Sequence, residues 1–340
     1  MPLHKIEDMQ SDAYTEAWLV GPHETKFYTR TYTASPETSK AALVWIHGFA
    51  EHVGRYTEAH PVLAAAGINV FAFDQRGFGK TALDPENKSR TSAYGKTSGR
   101  NQMEDVKWAL SHAKETFPGL PLFLAGHSMG GMEVLNYATR HKGEGTRGII
   151  ACSPLVAQTI PASKLLRAAG GLFALPLPNF MMPAEVEYDD LSHDEAYNNM
   201  CKVDKLSIQQ GTLRGLSDML NWGEELLKDQ LYLRWPKNLP LLLLHGTGDQ
   251  VTSCKKSALF YEHVTTDYKR TVEFPNGFHE LLHEPEHRER MLKEIIDYVN
   301  LCSLEGEAFV EARKAVDGDA ASAPTAPAAE AEAVAPEAKL

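Results

Sequence analysis

The chain has 340 residues, of which 43% are hydrophobic and 23% charged, as is ordinary for a folded globular protein. Its formal net charge is −11, and the residues from Val316 onward contribute five acidic side chains against one lysine. The remaining body is still acidic, which argues against nucleic acid as a partner.

The cysteines and the first residues of the chain indicate the compartment. The cysteines lie far apart without a CxxC pair, which argues against a zinc site or a disulfide scaffold and favours free thiols. The segment 1–10 is polar and lacks the apolar core of a secretory signal. No run reaches the roughly 18 apolar residues of a spanning helix. We therefore expect a cytoplasmic protein with at most peripheral membrane contact.

Short apolar runs alternate with helical stretches along the chain. Two runs at 17–20 and 26–32 flank Gly21-Pro22 and predict an antiparallel hairpin. Six later runs predict a mostly parallel sheet, and they lie at 42–46, 68–73, 120–125, 148–152, 241–245 and 271–274. Helices that cover the sheet are predicted by the spacing of apolar residues at 57–66, 101–117, 129–141, 255–263 and 286–300.

The strand rhythm stops after Ser153-Pro154 and resumes at Pro240. This interruption predicts an inserted helical cap at 156–236, between two core segments at 1–155 and 237–304. The first half of the cap is apolar, with breaks at Gly170-Gly171, Pro176 and Pro178, and the second half returns to helical spacing at 208–227.

The end of the chain, 305–340, is rich in Ala, Pro and Glu. From about Asp317 it has almost no large apolar residue, so burial cannot offset the entropy lost on ordering. We predict a disordered tail here.

The segment Gly126-His127-Ser128-Met129-Gly130 matches the pattern GxSxG between an apolar strand and a helix. This context is typical of a nucleophile elbow, a strained turn that projects the serine hydroxyl out of the sheet. Side chains flanking the serine would clash in so tight a turn, which explains the glycines. Ser128 is therefore the candidate nucleophile.

A serine hydroxyl is a weak nucleophile, so it needs a base within hydrogen-bond reach and a carboxylate that orients the base. Asp249 ends a buried strand and its glycine-rich loop, and His279 lies in the loop after the last strand. The order Ser, Asp, His along the chain is the order that enzymes with this elbow use. We predict Asp249 as the acid and His279 as the base.

Three residues compete with this assignment. His245 lies at a strand end before the acid, and His283 is one helical turn beyond His279. Asp267, the rival acid, sits in a polar loop between a helix and a strand. Chain order and strand-end placement favour Asp249 and His279.

The reaction of a serine nucleophile also needs two backbone N–H donors for the oxyanion of the tetrahedral intermediate. One donor in this arrangement is the residue after the nucleophile, Met129, and the other lies in the loop after the third strand. Phe49 in His47-Gly48-Phe49-Ala50 is the candidate for the second donor, although His47-Gly48 could also be an ordinary tight turn.

Several segments resemble the monoacylglycerol lipases, within the serine hydrolase group named for aminopeptidases and lysophospholipases. The resemblance covers about Tyr14 to Val299, and Gly211-Thr212-Leu213-Arg214-Gly215-Leu216 in the cap is similar to fungal members. The strongest motifs are His47-Gly48-x-x-Glu51-His52-x-x-Arg55-Tyr56, Asp74-x-Arg76-Gly77-x-Gly79, the segment from Pro118 to Gly131 and Ser153-Pro154-Leu155.

The resemblance implies an α/β-hydrolase fold with a mostly parallel eight-stranded sheet, helices on both faces and the inserted cap. It implies cleavage of monoacylglycerol to fatty acid and glycerol through an acyl-enzyme, with no cofactor and no metal. Separately from the resemblance, the apolar cap segment from Ser163 to Met182, which includes Leu172, Phe173 and Leu175, predicts a lining for the acyl chain and peripheral contact with a membrane or lipid droplet, because its Gly and Pro breaks divide it into short pieces that could open. The alternative, that these residues only pack the cap onto the core, stays open. Lysophospholipase, broad carboxylesterase and peptidase activities stay open, as does an inactive binding protein that retains the elbow.

Particular positions also follow from the resemblance. Phe49 and Met129 again fall at the oxyanion donors, and Glu51 and Arg55 would form a structural pair that braces the same loop. Ala50 stands where many relatives have glycine, and Thr252 where vertebrate members have cysteine.

Overall fold

The computed structural model describes residues 13–160 and 176–322, except that nothing is described for the side chains of 315–322. The chain divides into two compact units, one ending at Ser303 and the other beginning at Leu304. Among the helices of the described ranges, none combines the length and the hydropathy that a membrane-spanning helix requires.

An eight-stranded sheet forms the centre of the first unit. Strand β2 (Lys26–Tyr32) runs antiparallel to both of its neighbours, and the remaining pairs in this sheet are parallel. The predicted hairpin and the mostly parallel sheet are therefore confirmed. Every residue of the five central strands is buried, as expected where helices cover both faces. The order across the sheet is β1 (Thr15–Val20), β2 (Lys26–Tyr32), β4 (Ile68–Phe73), β3 (Ala41–Ile46), β5 (Leu122–His127), β6 (Gly148–Cys152), β9 (Leu241–Gly246) and β10 (Lys269–Phe274).

The helices of the core lie close to their predicted positions. The predicted helix at 57–66 begins only at His60, one residue before Pro61, because proline favours the first helical turn. A short helix that the sequence analysis did not predict follows Phe78. The core helices are α1 (His60–Ala65), α2 (Gly79–Leu83), α3 (Gly99–Thr116), α4 (Met129–His141), α7 (Cys254–His263) and α8 (Arg288–Ser303).

The insertion between β6 and β9 contains helices α5 (Glu195–Val203) and α6 (Leu213–Lys228). It also contains a short antiparallel pair that the sequence analysis did not predict, β7 (Met181–Pro183) and β8 (Gln210–Thr212). Strands of three residues are too short to show an alternating pattern in sequence. The boundaries 156–236 stay a prediction, because these elements share one compact unit with the sheet.

The second half of the insertion is fastened to the core along its length. The Thr212 N–H donates to the Gly95 carbonyl at 3.2 Å, and a Cβ on Gly95 would lie 2.7 Å from the Cα of Gly211. Further along, a Cβ on Gly223 would lie 2.3 Å from the Leu155 carbonyl oxygen. The backbone of the insertion therefore contacts the backbone of the core near Gly211 and near Gly223, and these contacts hold α6 against the core.

The second unit contains helix α9 (Gly306–Ser322). The prediction of disorder over 305–340 is wrong for this stretch, whose Ala, Glu, Arg and Lys residues are strong helix formers. Residues 323–340 lie outside the described part of the chain.

His60 is fully buried in an aromatic group on one face of the sheet. Its ring lies 5.1 Å from that of Tyr32, 5.3 Å from Tyr56 and 5.4 Å from Trp45, measured between centroids. Burial, with a smaller contribution from the charge of Arg30, lowers the pKa of His60 to about 3. The folded state therefore excludes a proton that the unfolded chain binds readily.

This difference in proton binding predicts acid sensitivity. The unfolded chain protonates His60 below a pKa of about 6.5, whereas the folded chain does so only near 3. Stability present above pH 6.5 is then lost as pH falls, by about 1.4 kcal/mol per pH unit from this one group. We expect His60→Leu to flatten the pH dependence of the unfolding free energy between pH 6.5 and 4.5, measured by urea titration. The surface variant His263→Leu should keep the wild-type slope, and an equal slope in both variants would contradict the assignment.

Candidate active site

Ser128 occupies a strained turn between β5 and α4, with φ 54° and ψ −115°. The two glycines of the motif leave no room for side chains. A Cβ on Gly126 would lie 2.3 Å from the Gly130 carbonyl oxygen, and a Cβ on Gly130 would lie 2.2 Å from the Ile46 carbonyl oxygen. The elbow is thus pressed against the end of β3, which holds Ser128 at the carboxyl edge of the sheet.

Asp249 and His279 follow the neighbouring strands β9 and β10 at the same edge of the sheet. His279 Nδ1 lies 2.8 Å from Asp249 Oδ2, and both side chains are almost fully buried. Their loops touch, since a Cβ on Gly246 would lie 2.1 Å from the Gly277 carbonyl oxygen. The Asp249 contact occupies Nδ1 and leaves Nε2 as the ring nitrogen that can exchange a proton with substrate or serine.

The Asp249 carboxylate is held by several donors. Its Oδ1 accepts the backbone N–H groups of Val251 and Thr252, each at 2.8 Å. Burial alone would raise the pKa of Asp249, but the charge of His279 and the hydrogen bonds from His245 and His279 outweigh burial and hold it well below its usual range. The residue therefore stays ionised beside His279.

The competing residues have other surroundings. The Nε2 of His245 lies 3.2 Å from Asp249 Oδ2, the oxygen that His279 also contacts, but His245 does not line the cavity described below. The ring of His283 stacks on Tyr197 with centroids 3.9 Å apart. Asp267 is exposed on a loop, 3.9 Å from Lys237. Of these candidates, His279 is the histidine that meets both the buried acid and the cavity.

The two candidate oxyanion donors lie on either side of Ser128. Met129 is the first residue of α4, where the helix itself offers no acceptor for the N–H group. Phe49 lies in the loop after β3 and lines the cavity. This loop approaches the serine closely, because a Cβ on Gly48 would lie 3.0 Å from the Ser128 Cβ. Ala50 takes a left-handed φ of 55°, a conformation that glycine adopts with less strain than alanine.

A cavity of about 450 Å³ opens onto Ser128 and His279. One wall is the apolar face of α6, where side chains three to four residues apart share one side of the helix. The apolar lining includes Phe49, Met182, Leu213, Leu216, Met219 and Leu220. The polar lining includes Glu51, Arg55, Glu185, Ser207, Gln209 and Glu280. The cavity therefore suits an amphipathic molecule.

A buried charge cluster lies beneath the cavity. His127 Nδ1 donates to Glu51 Oε1 at 3.0 Å, and His127 Nε2 lies 3.2 Å from the backbone carbonyl oxygen of His279. Burial alone would lower the pKa of His127, but the charges of Glu280 and Glu51 raise it to about 9. His127 is therefore a cation that links the oxyanion loop, the elbow and the histidine loop.

The expected pair between Glu51 and Arg55 is wrong. Arg55 Nη1 instead lies 3.6 Å from Glu280 Oε1, and Nη2 donates to Ser207 Oγ at 3.0 Å. Sequence reasoning missed His127 and Glu280 because neither carries a reaction step. Their position beside Ser128 and His279 in the chain was the available signal.

Comparison with known proteins adds to this geometry. Residues 37–286 match the family described as serine aminopeptidase, S33. The chain belongs to this family. It is 36% identical over 264 residues to a putative monoglyceride lipase of Schizosaccharomyces pombe, an alignment that covers 75% of this chain and 65% of that protein. The chain thus spans about two thirds of the length of that relative.

Two further relatives have similar extents. Monoglyceride lipase of Homo sapiens is 28% identical over 83% of this chain and 86% of its own length. The crystal structure of a soluble variant of monoglyceride lipase from Saccharomyces cerevisiae with a substrate analog superposes with a TM-score of 0.76. That match covers 87% of this chain and 97% of the other at 23% identity, and it supports the α/β-hydrolase fold.

Glu51, His127 and Glu280 also form a group that could be considered for a metal ion, since their ligand atoms lie within 4.8 Å of one another. A metal ligand needs a free lone pair, and a protonated imidazole has none. Because His127 has carboxylate and carbonyl acceptors at its two nitrogens, the cluster fits an internal ion pair better than a metal site.

The elbow geometry predicts that Gly130→Ala is severe. Its Cβ would meet the backbone oxygen of Ile46, which cannot move without displacing β3, so we expect destabilisation by at least about 3 kcal/mol in urea titration. Gly119→Ala is the matched control. It has a left-handed φ of 82° but open space around its Cβ, so it should cost only about 1 kcal/mol. Equal losses would contradict the assignment to packing, because Gly130 itself does not have a left-handed φ.

Proposed function

We propose that this chain is a serine hydrolase that cleaves monoacylglycerol to a fatty acid and glycerol. The observation that carries the proposal is the meeting of Ser128, on its strained elbow, and the His279–Asp249 pair at one half-apolar cavity. Fold alone does not assign a substrate, so the residues of the cavity have to support it.

In the first half of the reaction, His279 Nε2 accepts the hydroxyl proton of Ser128 while Oγ attacks the ester carbonyl carbon. The carbonyl oxygen becomes an oxyanion that accepts hydrogen bonds from the backbone N–H groups of Phe49 and Met129. The tetrahedral intermediate collapses, His279 gives its proton to the departing glycerol oxygen, and the acyl group stays on Ser128. Asp249 stabilises the imidazolium that exists between these proton transfers.

In the second half, water takes the place of glycerol. His279 removes a proton from the water, whose oxygen attacks the acyl-enzyme carbonyl through the same oxyanion contacts. Collapse of this intermediate returns the proton to Ser128 Oγ and releases the fatty acid. The chemistry is complete with the residues named.

The charges at the cavity favour a neutral head group. Among the described lining residues, Glu51, Glu185 and Glu280 are accompanied by a single cation, Arg55. A lysophospholipid would bring a phosphate among three carboxyl groups. This contrast favours monoacylglycerol over the lysophospholipase alternative, as do the names of the relatives from Schizosaccharomyces pombe and Homo sapiens.

The test compares turnover of 1-monooleoylglycerol and a lysophospholipid with the same acyl chain. We expect kcat/KM to favour the glyceride on the order of a hundredfold, because the phosphate charge would be poorly paired. Ser128→Ala should abolish turnover and labelling by a fluorophosphonate. Asp249→Asn should lower kcat by about 10⁴-fold.

Ser111→Ala, on the exposed side of α3, serves as the control and should behave as wild type. Labelling of the Ser128→Ala protein at the wild-type rate would contradict the nucleophile. A wild-type protein that labels but prefers the lysophospholipid would retain the triad and refute the head-group assignment. A wild-type protein that neither labels nor turns over any ester would support an inactive binding protein.

We further propose that the cap contacts a lipid surface peripherally. Leu177 and Phe180 are 51% and 55% exposed, and they directly precede β7, whose Met182 lines the cavity. If these side chains contact the lipid surface, the acyl chain has only a short distance to move from the lipid into the cavity. The apolar residues Leu172, Phe173 and Leu175, predicted to share this role, lie outside the described residues.

The double variant Leu177→Ser/Phe180→Ser tests this contact. We expect weaker binding to liposomes in a flotation assay and slower turnover of long-chain monoacylglycerol, with unchanged turnover of a soluble butyrate ester. Val20→Ser, at an equally exposed apolar position on β1, should leave liposome binding intact. Equal losses on both substrates, or a lower melting temperature with normal binding, would mean that the two residues support packing instead.

A further inference from the structure

A second histidine contacts the same carboxylate oxygen of the candidate acid as His279 does. His245, on β9, is fully buried, and its Nε2 lies 3.2 Å from Asp249 Oδ2 and 3.1 Å from the Thr252 carbonyl oxygen. His279 Nδ1 approaches the same Asp249 oxygen at 2.8 Å. Two imidazole rings thus converge on one carboxylate oxygen, and only one of them reaches the cavity.

The neighbours of His245 determine where its hydrogen lies. A backbone carbonyl oxygen can only accept, so the contact with Thr252 requires an N–H at Nε2. The same N–H is within reach of Asp249 Oδ2. Nδ1 is buried without a partner among the described residues, so a hydrogen there would be unsatisfied. The arrangement selects the tautomer that donates from Nε2 toward the carboxylate.

The two oxygens of Asp249 are held in different ways. Oδ1 accepts two backbone N–H groups and is fixed by the main chain. Among the described residues, the donors to Oδ2 are all side chains, namely His279, His245 and the Thr252 hydroxyl, which lies at 2.8 Å. The Thr252 hydroxyl has one hydrogen and a second acceptor, the Ser153 carbonyl oxygen at 3.0 Å. His245 is therefore the histidine donor that holds Oδ2 without taking part in proton transfer.

We propose that His245 is a positioning residue of the reaction. Its Nε2–H holds Asp249 Oδ2 where that oxygen receives the Nδ1–H of His279, so the base keeps the tautomer and the angle that face Ser128. The proposal rests on the triad of the proposed function but is independent of which ester is the substrate.

The test replaces His245 by three residues. Leucine fills a similar space without a donor. Glutamine places an amide N–H near the original Nε2, and asparagine ends one carbon shorter, near Nδ1. We expect His245→Leu to lower kcat roughly tenfold to a hundredfold, the effect of one lost hydrogen bond to a charged group, with KM unchanged. His245→Gln should recover most of this loss, and His245→Asn should not.

Two readouts separate positioning from packing. The soluble butyrate ester reports kcat, and the rate of fluorophosphonate labelling of Ser128 reports the triad even if monoacylglycerol proves not to be the substrate. His60→Leu is the matched control, a buried histidine outside the site, and should lower the melting temperature without lowering kcat. If His245→Leu does not fold, the Gln and Asn variants decide.

Wild-type kcat in the folded His245→Leu protein, or equal kcat and equal labelling in the Gln and Asn variants, would overturn the proposal. A wild-type protein that labels rapidly but leaves monoacylglycerol intact would contradict the proposed substrate and not the role of His245.

Discussion

The ion pair between Glu51 and His127 is the interaction on which the site depends. It joins the loop that carries the candidate oxyanion donor Phe49 to the residue that precedes Ser128, and His127 reaches on to the backbone of His279. Three loops that meet only at the edge of the sheet thus share one buried cation. A buried pair of this kind costs desolvation, and removal of either partner leaves an uncompensated charge. Such a pair contributes little net stability, and its main effect is to fix the positions of the three loops relative to one another.

The site combines this charged floor with an apolar wall. Below the cavity, Arg55 and His127 face Glu51 and Glu280, and the carboxylate of Asp249 is surrounded by donors. Above it, α6 presents Leu213, Leu216 and Leu220. A molecule with a hydroxylated end and a hydrocarbon end satisfies both surfaces at once. In the proposed reaction, the same division keeps apolar contacts around the acyl chain and ordered polar groups where charge develops during acyl transfer.

Sequence alone predicted the sheet, most helices and the order Ser128, Asp249, His279, because buried parallel strands and a glycine-flanked elbow leave strong local patterns. It did not predict β7 and β8, since strands of three residues have no readable period. It also paired Glu51 with Arg55, although the partners are His127 and Glu280. Which buried charges meet depends on how separate loops pack, and no spacing in the chain records that. Helix α9 was missed for a different reason, because the prediction considered only the lack of large apolar residues and not the helix propensity of Ala, Glu, Arg and Lys.

The contact between Gly95 and Gly211 has a consequence for how such caps diversify. A core loop and a cap strand touch there without any side chain between them. An insertion with a larger residue at the position of Gly211 would not pack against this core, because its side chain would clash with the backbone around Gly95, even if its own fold were intact. The cap is therefore not a freely exchangeable module. Chimeras that transplant it would have to carry the loop around Gly95 as well, and changes in acyl preference are more accessible through single substitutions on the inner face of α6.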